Sequence, residues 1–303
     1  MSSPSLSSLT KETFQTVTLN HKEYPVRIEG KGPFACFSIG TGTLIPNMLS
    51  ERFKETFTVY SSDLYWDQAY KLPHPETLTI EQIVLDLQSV AQQLGLKDYI
   101  VLGHSCFGII ALEMAKRDPH IQGVIMAASC PAWNENTWQF TRNYFEKHAD
   151  EGRKANDQKR HDYYELVKKP TDSEISITVY TRDSAKYWAN YEVDDQTIQA
   201  VWRDLIPDDV IVNHFFCELL PKHKVEEGLE KVYCPVLLLG GPYDFDSLPL
   251  ELWKTHTATN ILGEKLTIVT CPHSGHWPNI EDEDIFDQKT KEWAETHFMK
   301  GLD

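Results

Sequence analysis

The sequence contains no apolar run that approaches the length needed to cross a membrane, which argues against a membrane-embedded protein. The N-terminal residues 1–8 lack both basic side chains and an apolar core, so they do not resemble a secretory signal. The six cysteines are scattered and include no C-x-x-C pair. Such a distribution fits reduced thiols, and we therefore expect a cytoplasmic protein.

Basic residues are also scarce relative to acidic ones. The chain has 29 Lys and Arg against 45 Asp and Glu, a formal net charge of −16. This balance disfavours nucleic acids and anionic membranes as partners. The partner that we expect, a small-molecule substrate, is indicated by the candidate site residues and not by the charge. The 303 residues are 41% hydrophobic, enough for a large core, although composition does not predict the oligomeric state.

Apolar runs alternate with helical patterns along the first part of the chain. Segments 13–19 and 23–28 predict a leading hairpin, and segments 34–39, 57–61, 99–102 and 123–128 predict further strands. A capping box at Thr79 predicts a helix start, and apolar residues at helical spacing follow it. Two further strands are predicted at 235–240 and 266–270, before a C-terminal helix. This alternation indicates an α/β fold with a mostly parallel central sheet and helices on both faces.

The region between the two groups of strands has a different character. Residues 132–225 lack buried-strand runs and are rich in charged and aromatic side chains. We therefore predict a helical cap at 132–225, inserted into a core domain formed by 1–131 and 226–303. Most of the cap aromatics are expected to form its own small core, and the others to line a pocket.

Ser105 carries the strongest functional signal. It lies in the stretch 103–108, Gly-His-Ser-Cys-Phe-Gly, after an apolar strand and before a segment with helical apolar spacing. This context is typical of the nucleophile elbow of a serine hydrolase, and an ordinary Gly-Ser turn is the alternative. The helix N-terminus favours negative charge that develops beside the serine.

A serine nucleophile needs an imidazole to accept its proton and a carboxylate to orient that imidazole. Asp244 follows the strand predicted at 235–240, and His276 follows the strand at 266–270. Asp246 and His273 are the alternatives to these two residues. The order Ser105, Asp244, His276 is the order found in hydrolases of the nucleophile-elbow type.

The same loop contains Cys271, His273 and His276, but no matching second ligand pair accompanies them. We therefore predict no metal site and no cofactor. His104 is expected only to fill the turn. For Cys106, the backbone N–H is expected to matter more than the thiol.

These features together resemble the α/β-hydrolase superfamily, and within it the proline iminopeptidase-like branch of serine peptidases and esterases. Two stretches carry the resemblance to the branch: 185–192, Ala-Lys-Tyr-Trp-Ala-Asn-Tyr-Glu, and 212–216, Val-Asn-His-Phe-Phe. The resemblance implies an α/β-hydrolase fold whose cap lies over the active site. The substrate pocket is then expected to include Gly40, Phe107, Trp188, Phe215 and Trp277.

Three departures from the branch pattern affect the prediction. Val212 stands where the peptidases carry a glutamate that helps to bind a free α-amino group, which makes an N-terminal proline a doubtful substrate. The usual His-Gly of the oxyanion loop is absent, so we expect the N–H of Thr41, or of Gly42, to act with that of Cys106. Phe107 replaces a small residue and either crowds the elbow or fills part of the acyl pocket.

The sequence therefore predicts a serine hydrolase that cleaves a small, partly apolar ester, lactone or amide through an acyl-enzyme at Ser105. A serine nucleophile argues against epoxide hydrolase and dehalogenase chemistry, which uses an aspartate. Three alternatives remain: a prolyl aminopeptidase, a non-catalytic binding protein with a capped pocket, and a non-hydrolytic enzyme such as a lyase or a cofactor-free oxygenase.

Overall fold

The predicted hairpin and strands form one mixed sheet. The computed structural model describes residues 13–40, 44–166, 175–202 and 206–299. Within them the sheet has eight strands in the order β1-β2-β4-β3-β5-β6-β7-β8. The strand bounds are β1 (Thr13–Leu19), β2 (Lys22–Glu29), β3 (Phe34–Ile39), β4 (Phe57–Ser61), β5 (Tyr99–His104), β6 (Ile121–Ala127), β7 (Val236–Gly240) and β8 (Leu266–Thr270). β2 runs antiparallel to β1 and β4, and the remaining pairs are parallel.

Burial explains the continuous apolar runs in the sequence. Every residue of β5 and β7 is buried, because helices cover both faces of a central parallel strand. β8 lies at the edge of the sheet and is partly exposed. The predicted capping residue is confirmed, since the Thr79 side chain accepts the backbone N–H of Gln82.

Helices occupy most of the remaining described chain. Before the inserted region they are α1 (Leu44–Asn47), α2 (Glu51–Thr56), α3 (Ile80–Gln93) and α4 (Phe107–Ala115). After β7 they are α11 (Pro249–Thr255), α12 (Thr257–Leu262), α13 (Pro278–Glu281) and α14 (Glu283–Phe298). Among the described residues no helix combines the length and the apolar character of a membrane span.

Among the described residues between β6 and β7, helices alternate with turns and irregular stretches, and an isolated bridge pairs Pro207 with Asp67. The helices are α5 (Glu135–His148), α6 (Glu151–Leu166), α7 (Ile175–Arg182), α8 (Ser184–Tyr187), α9 (Asp195–Trp202) and α10 (Asp209–His214). A π-helical turn at Phe215–Leu219 follows α10. The division into a core and a cap at 132–225 stays a prediction.

The topology brings the predicted functional residues to one edge of the sheet. β5, β7 and β8 are parallel members of the sheet, and each leads directly into one candidate loop. Ser105 follows β5, Asp244 follows β7 and His276 follows β8. The carboxyl ends of parallel strands are where ligands bind in α/β folds.

Candidate active site

Ser105 lies on a sharp turn between β5 and α4. Its φ of 56° is in the left-handed region, which costs free energy for a side chain other than glycine. Its backbone N–H donates to the carbonyl of Ala127 at 2.8 Å, which ties the turn to the end of β6. The strand and helix pack so closely that a Cβ at Gly103 would collide with the carbonyl of Phe107. This geometry is that of a nucleophile elbow.

His276 and Asp244 form a buried acid–base pair. The Nδ1 of His276 lies 2.9 Å from Oδ2 of Asp244, and the two side chains are 1% and 0% exposed. Burial opposes the charged imidazolium, but the charge and hydrogen bond of Asp244 outweigh it, and the pKa of His276 is raised above its ordinary value. The imidazole is thereby suited to accept a proton.

Within the described part of the chain, four donors surround the Asp244 carboxylate. Oδ1 accepts the backbone N–H groups of Asp246 at 3.2 Å and Ser247 at 3.0 Å, and Oδ2 accepts His276 and the Ser247 hydroxyl at 2.6 Å. That hydroxyl is also 3.2 Å from Nδ1 of His276 and 2.9 Å from the carbonyl of Ala128. Ser247 is therefore a member of the site that sequence reasoning missed.

The two alternative residues occupy other positions. Asp246 contributes only its backbone N–H to the Asp244 carboxylate, and burial raises the pKa of its own side chain to about 6. His273 is exposed, and its backbone N–H donates to Asp282. Within the described chain, the structure pairs His276 with Asp244.

His104 does more than fill the turn. Its Nε2 lies 2.8 Å from the carbonyl of His276, so that nitrogen carries the proton and donates. The ring stacks on Trp277 at 4.7 Å and meets the His276 ring edge-on at 4.8 Å. Burial lowers the pKa of His104 to about 3, and the ring is therefore neutral.

The serine hydroxyl is not yet engaged with the imidazole. No hydrogen bond joins the Ser105 hydroxyl to the imidazole of His276 among the described residues. Loose contacts of this kind are common in unliganded active sites and tighten when substrate binds.

The predicted oxyanion site is described only in part. Thr41 and Gly42 lie outside the described residues. Cys106 stands immediately before α4, and its backbone N–H donates to no protein acceptor in the described chain. Its thiol is buried, which raises the pKa of Cys106 well above its usual range and suits a packing role.

A small apolar cavity of about 60 Å³ opens beside Ser105. Phe107 and Trp277 are among its lining residues, and the inserted region contributes Tyr180, Trp202 and Phe216. The other lining residues are Leu44, Ile45, Trp66, His104, Ser105, Pro207 and Val212.

Three predicted pocket residues lie behind this described lining rather than in it. Phe215 is fully buried, because the π-helical turn directs Phe216 to the cavity instead. Trp188 packs behind Trp277, with ring centroids 6.2 Å apart. Gly40 faces the ring of Phe107 and is covered by it. The assignment of these three residues to the substrate pocket stays a prediction, although none of them lines the described cavity directly.

Phe107 is accommodated without crowding the elbow. Its ring stacks on Phe215 at 5.5 Å and meets Trp66 edge-on at 5.0 Å. A Cβ at Gly40 would come within 2.6 Å of the Phe107 ring, and the φ of 104° at Gly40 favours glycine in any case. Gly40 therefore provides the space that the large side chain needs.

One cluster outside this site has metal-ligand chemistry. Asp157, His161 and Asp183 come together in the inserted region. Lys186 Nζ already lies 3.2 Å from Asp157, and Arg182 pairs with Asp183 at 2.7 Å. Because these cations neutralise the carboxylates, the cluster is an ion-pair network that links α6, α7 and α8.

The fold and the site are those of an α/β protein of the hydrolase type. Comparison with known sequences identifies the family. The model of the alpha/beta hydrolase family matches residues 38–288, and the chain belongs to that family. It is 23% identical over 273 residues to an AB hydrolase superfamily protein, YclE, of Bacillus subtilis (strain 168), covering 89% of this chain and 94% of that protein.

Solved structures agree with this fold. The chain is similar to the proline iminopeptidase of Mycobacterium smegmatis, with a TM-score of 0.67, 17% identity and coverage of 94% of this chain and 98% of that one. It is also similar to a thermophilic esterase from Thermogutta terrifontis, with a TM-score of 0.64, 17% identity and coverage of 95% and 99%. At these identities the likeness establishes the fold alone.

Proposed function

We propose that the protein is a serine hydrolase that cleaves small, partly apolar acyl substrates through a Ser105–His276–Asp244 triad. The observation that supports this most strongly is the buried His276–Asp244 pair beside an elbow serine that lines an apolar cavity. His276 takes the proton of the Ser105 hydroxyl as it attacks the carbonyl carbon, and Asp244 stabilises the imidazolium that forms. The N–H of Cys106 is one donor to the oxyanion. His276 then protonates the leaving group and activates water for deacylation.

The size and polarity of the cavity narrow the substrate class. Its volume of about 60 Å³ is well below the ~150 Å³ of a cavity that accepts benzene, which favours short aliphatic acyl groups. Val212 lines the cavity and cannot pair with an ammonium group. We therefore favour an ester or lactone over a peptide with a free N-terminal proline.

The test is turnover of 4-nitrophenyl acetate, butyrate and octanoate, together with a prolyl anilide, by the wild type and by Ser105→Ala. We expect acetate to be cleaved fastest, octanoate slowest and the anilide not measurably. Rapid-quench mass spectrometry should detect an acyl group on Ser105. Full turnover by Ser105→Ala, or a preference for octanoate, contradicts the proposal.

A further inference from the structure

Arg153 of α6 is an unusual buried cation. It is 2% exposed, and no carboxylate pairs with it among the described residues. Instead its Nη1 donates to the carbonyls of Ala185 at 2.5 Å and Trp188 at 2.7 Å, and its Nη2 donates to Ala189 at 2.6 Å. All three carbonyls belong to the cap segment, which we define as residues 185–189. Burying a charge is costly unless its donors are paired. Here the carbonyls of one short segment pair with the guanidinium, and the guanidinium in turn fixes the conformation of that segment.

The cap segment lies directly on the loop that carries His276. The carbonyl of Tyr187 accepts the backbone N–H of His276 at 2.6 Å. A Cβ at Gly275 would collide with the same carbonyl, so the two backbones are in close contact. The carbonyl of Lys186 accepts the N–H of Phe245 at 2.9 Å, one residue beyond Asp244. The segment thus holds the backbones of both members of the acid–base pair.

Glu281 of α13 joins the two backbones from the other side. Its Oε1 accepts the N–H of Ala189 at 2.7 Å, and its Oε2 accepts the N–H of Gly275 at 2.8 Å. The two carboxylate oxygens therefore bind two different segments, the cap segment and the His276 loop. The charges that act on the Glu281 carboxylate include Arg153 of α6, Asp244 after β7 and His276 of the neighbouring loop.

We propose that Arg153 and Glu281 are positioning residues that fix the His276 imidazole through the cap segment 185–189. The packing of the inserted region on the His276 loop would then determine kcat. The proposal rests on the proposed hydrolase function. The geometry gives its reason, because the carbonyl of Tyr187 holds the N–H of His276. In the same segment, Arg153 binds three backbone carbonyls and Glu281 binds one backbone N–H. A shift of this segment would displace the imidazole relative to Ser105.

The first test compares Arg153→Lys with Arg160→Lys. Arg160 is also on α6 and also donates to carbonyls of the inserted region, those of Thr181 and Val193, but to none in the cap segment. We expect Arg153→Lys to lose kcat by on the order of tenfold to 100-fold with little change in KM, because small displacements of catalytic groups cost this much. Arg160→Lys should retain the wild-type kcat.

The second test compares Glu281→Gln with Glu283→Gln, an exposed glutamate two residues away. A glutamine offers one acceptor and one amide donor, so it cannot accept both backbone N–H groups. Burial raises the pKa of Glu281 to about 7. Wild-type kcat/KM should therefore fall more steeply than in proportion to proton concentration while Glu281 and His276 both take up protons, because each of the two protonations lowers the rate. In Glu281→Gln the fall should be first order from a lower plateau.

A readout without turnover separates this proposal from the proposed function. In histidine-labelled protein, the Nδ1–H resonance of His276 reports its hydrogen bond to Asp244. It should shift in Arg153→Lys and Glu281→Gln and stay in place in the two controls. An unmoved resonance with unchanged kcat overturns the positioning role, whereas a shifted resonance in a protein without hydrolase activity contradicts only the function. If Arg153→Lys does not fold, Glu281→Gln supplies both measurements.

Discussion

Removing the Ser247 hydroxyl should slow catalysis without disturbing the fold. In Ser247→Ala the Asp244 carboxylate keeps three of its four donors, because the backbone N–H of residue 247 is retained. The bond lost is the 2.6 Å contact to Oδ2, together with the 3.2 Å contact to Nδ1 of His276. A hydrogen bond to a charged group contributes about 1.5–3 kcal/mol. At about 1.4 kcal/mol for each factor of ten, kcat should fall by roughly tenfold to 150-fold.

The chain offers a matched control in Ser129. Its side chain is 0% exposed, like that of Ser247, but its hydroxyl has no hydrogen-bond partner among the residues that the structure describes. Ser129→Ala should therefore keep kcat within about twofold of the wild type. The assay is steady-state hydrolysis of 4-nitrophenyl acetate, with the melting temperature of each variant measured alongside. Equal kcat in the two alanine variants would refute the orienting role of Ser247.

Three further predictions follow from the same geometry. Asp244→Asn should lower kcat by roughly 10⁴-fold, because an asparagine holds His276 in the wrong tautomer. Asp246→Asn should lower kcat by far less. Similar losses for the two variants in steady-state assays would contradict the pairing of His276 with Asp244. Phe107→Ala should enlarge the cavity and raise the ratio of butyrate to acetate hydrolysis; an unchanged ratio would remove Phe107 from the acyl pocket. Acid should inactivate the enzyme from above pH 6.5, since His276 works only when neutral and its pKa is raised; a pH–rate profile with its acid midpoint well below that value would contradict this role.

Local sequence patterns were sufficient to predict the strands of the sheet and the turn that carries Ser105. The runs that became β5 and β7 are apolar throughout because both faces of these strands are buried, and that pattern is visible without a structure. Ser105 was identifiable because its turn follows such a strand and precedes a helix. The order of Asp244 and His276 along the chain located the acid–base pair.

Residues that act through distant contacts carried no such signal. Ser247 looks like any loop serine, and Arg153 and Glu281 look like surface charges on amphipathic helices until the inserted region packs on the His276 loop. The choice between Phe215 and Phe216 depended on a π-helical turn, where the helical period of 3.6 residues does not hold. Tertiary packing, rather than local propensity, decided each of these positions.

The central claim is that Ser105 is an activated nucleophile, and covalent labelling tests it most directly. Wild type and Ser105→Ala would be treated with a fluorophosphonate probe and analysed by intact mass and peptide mapping. The account predicts one adduct per wild-type chain, located on Ser105, and no adduct on the folded alanine variant. Folded wild-type protein that stays unlabelled, or that is labelled at another residue, would contradict it and favour a binding protein with a capped pocket.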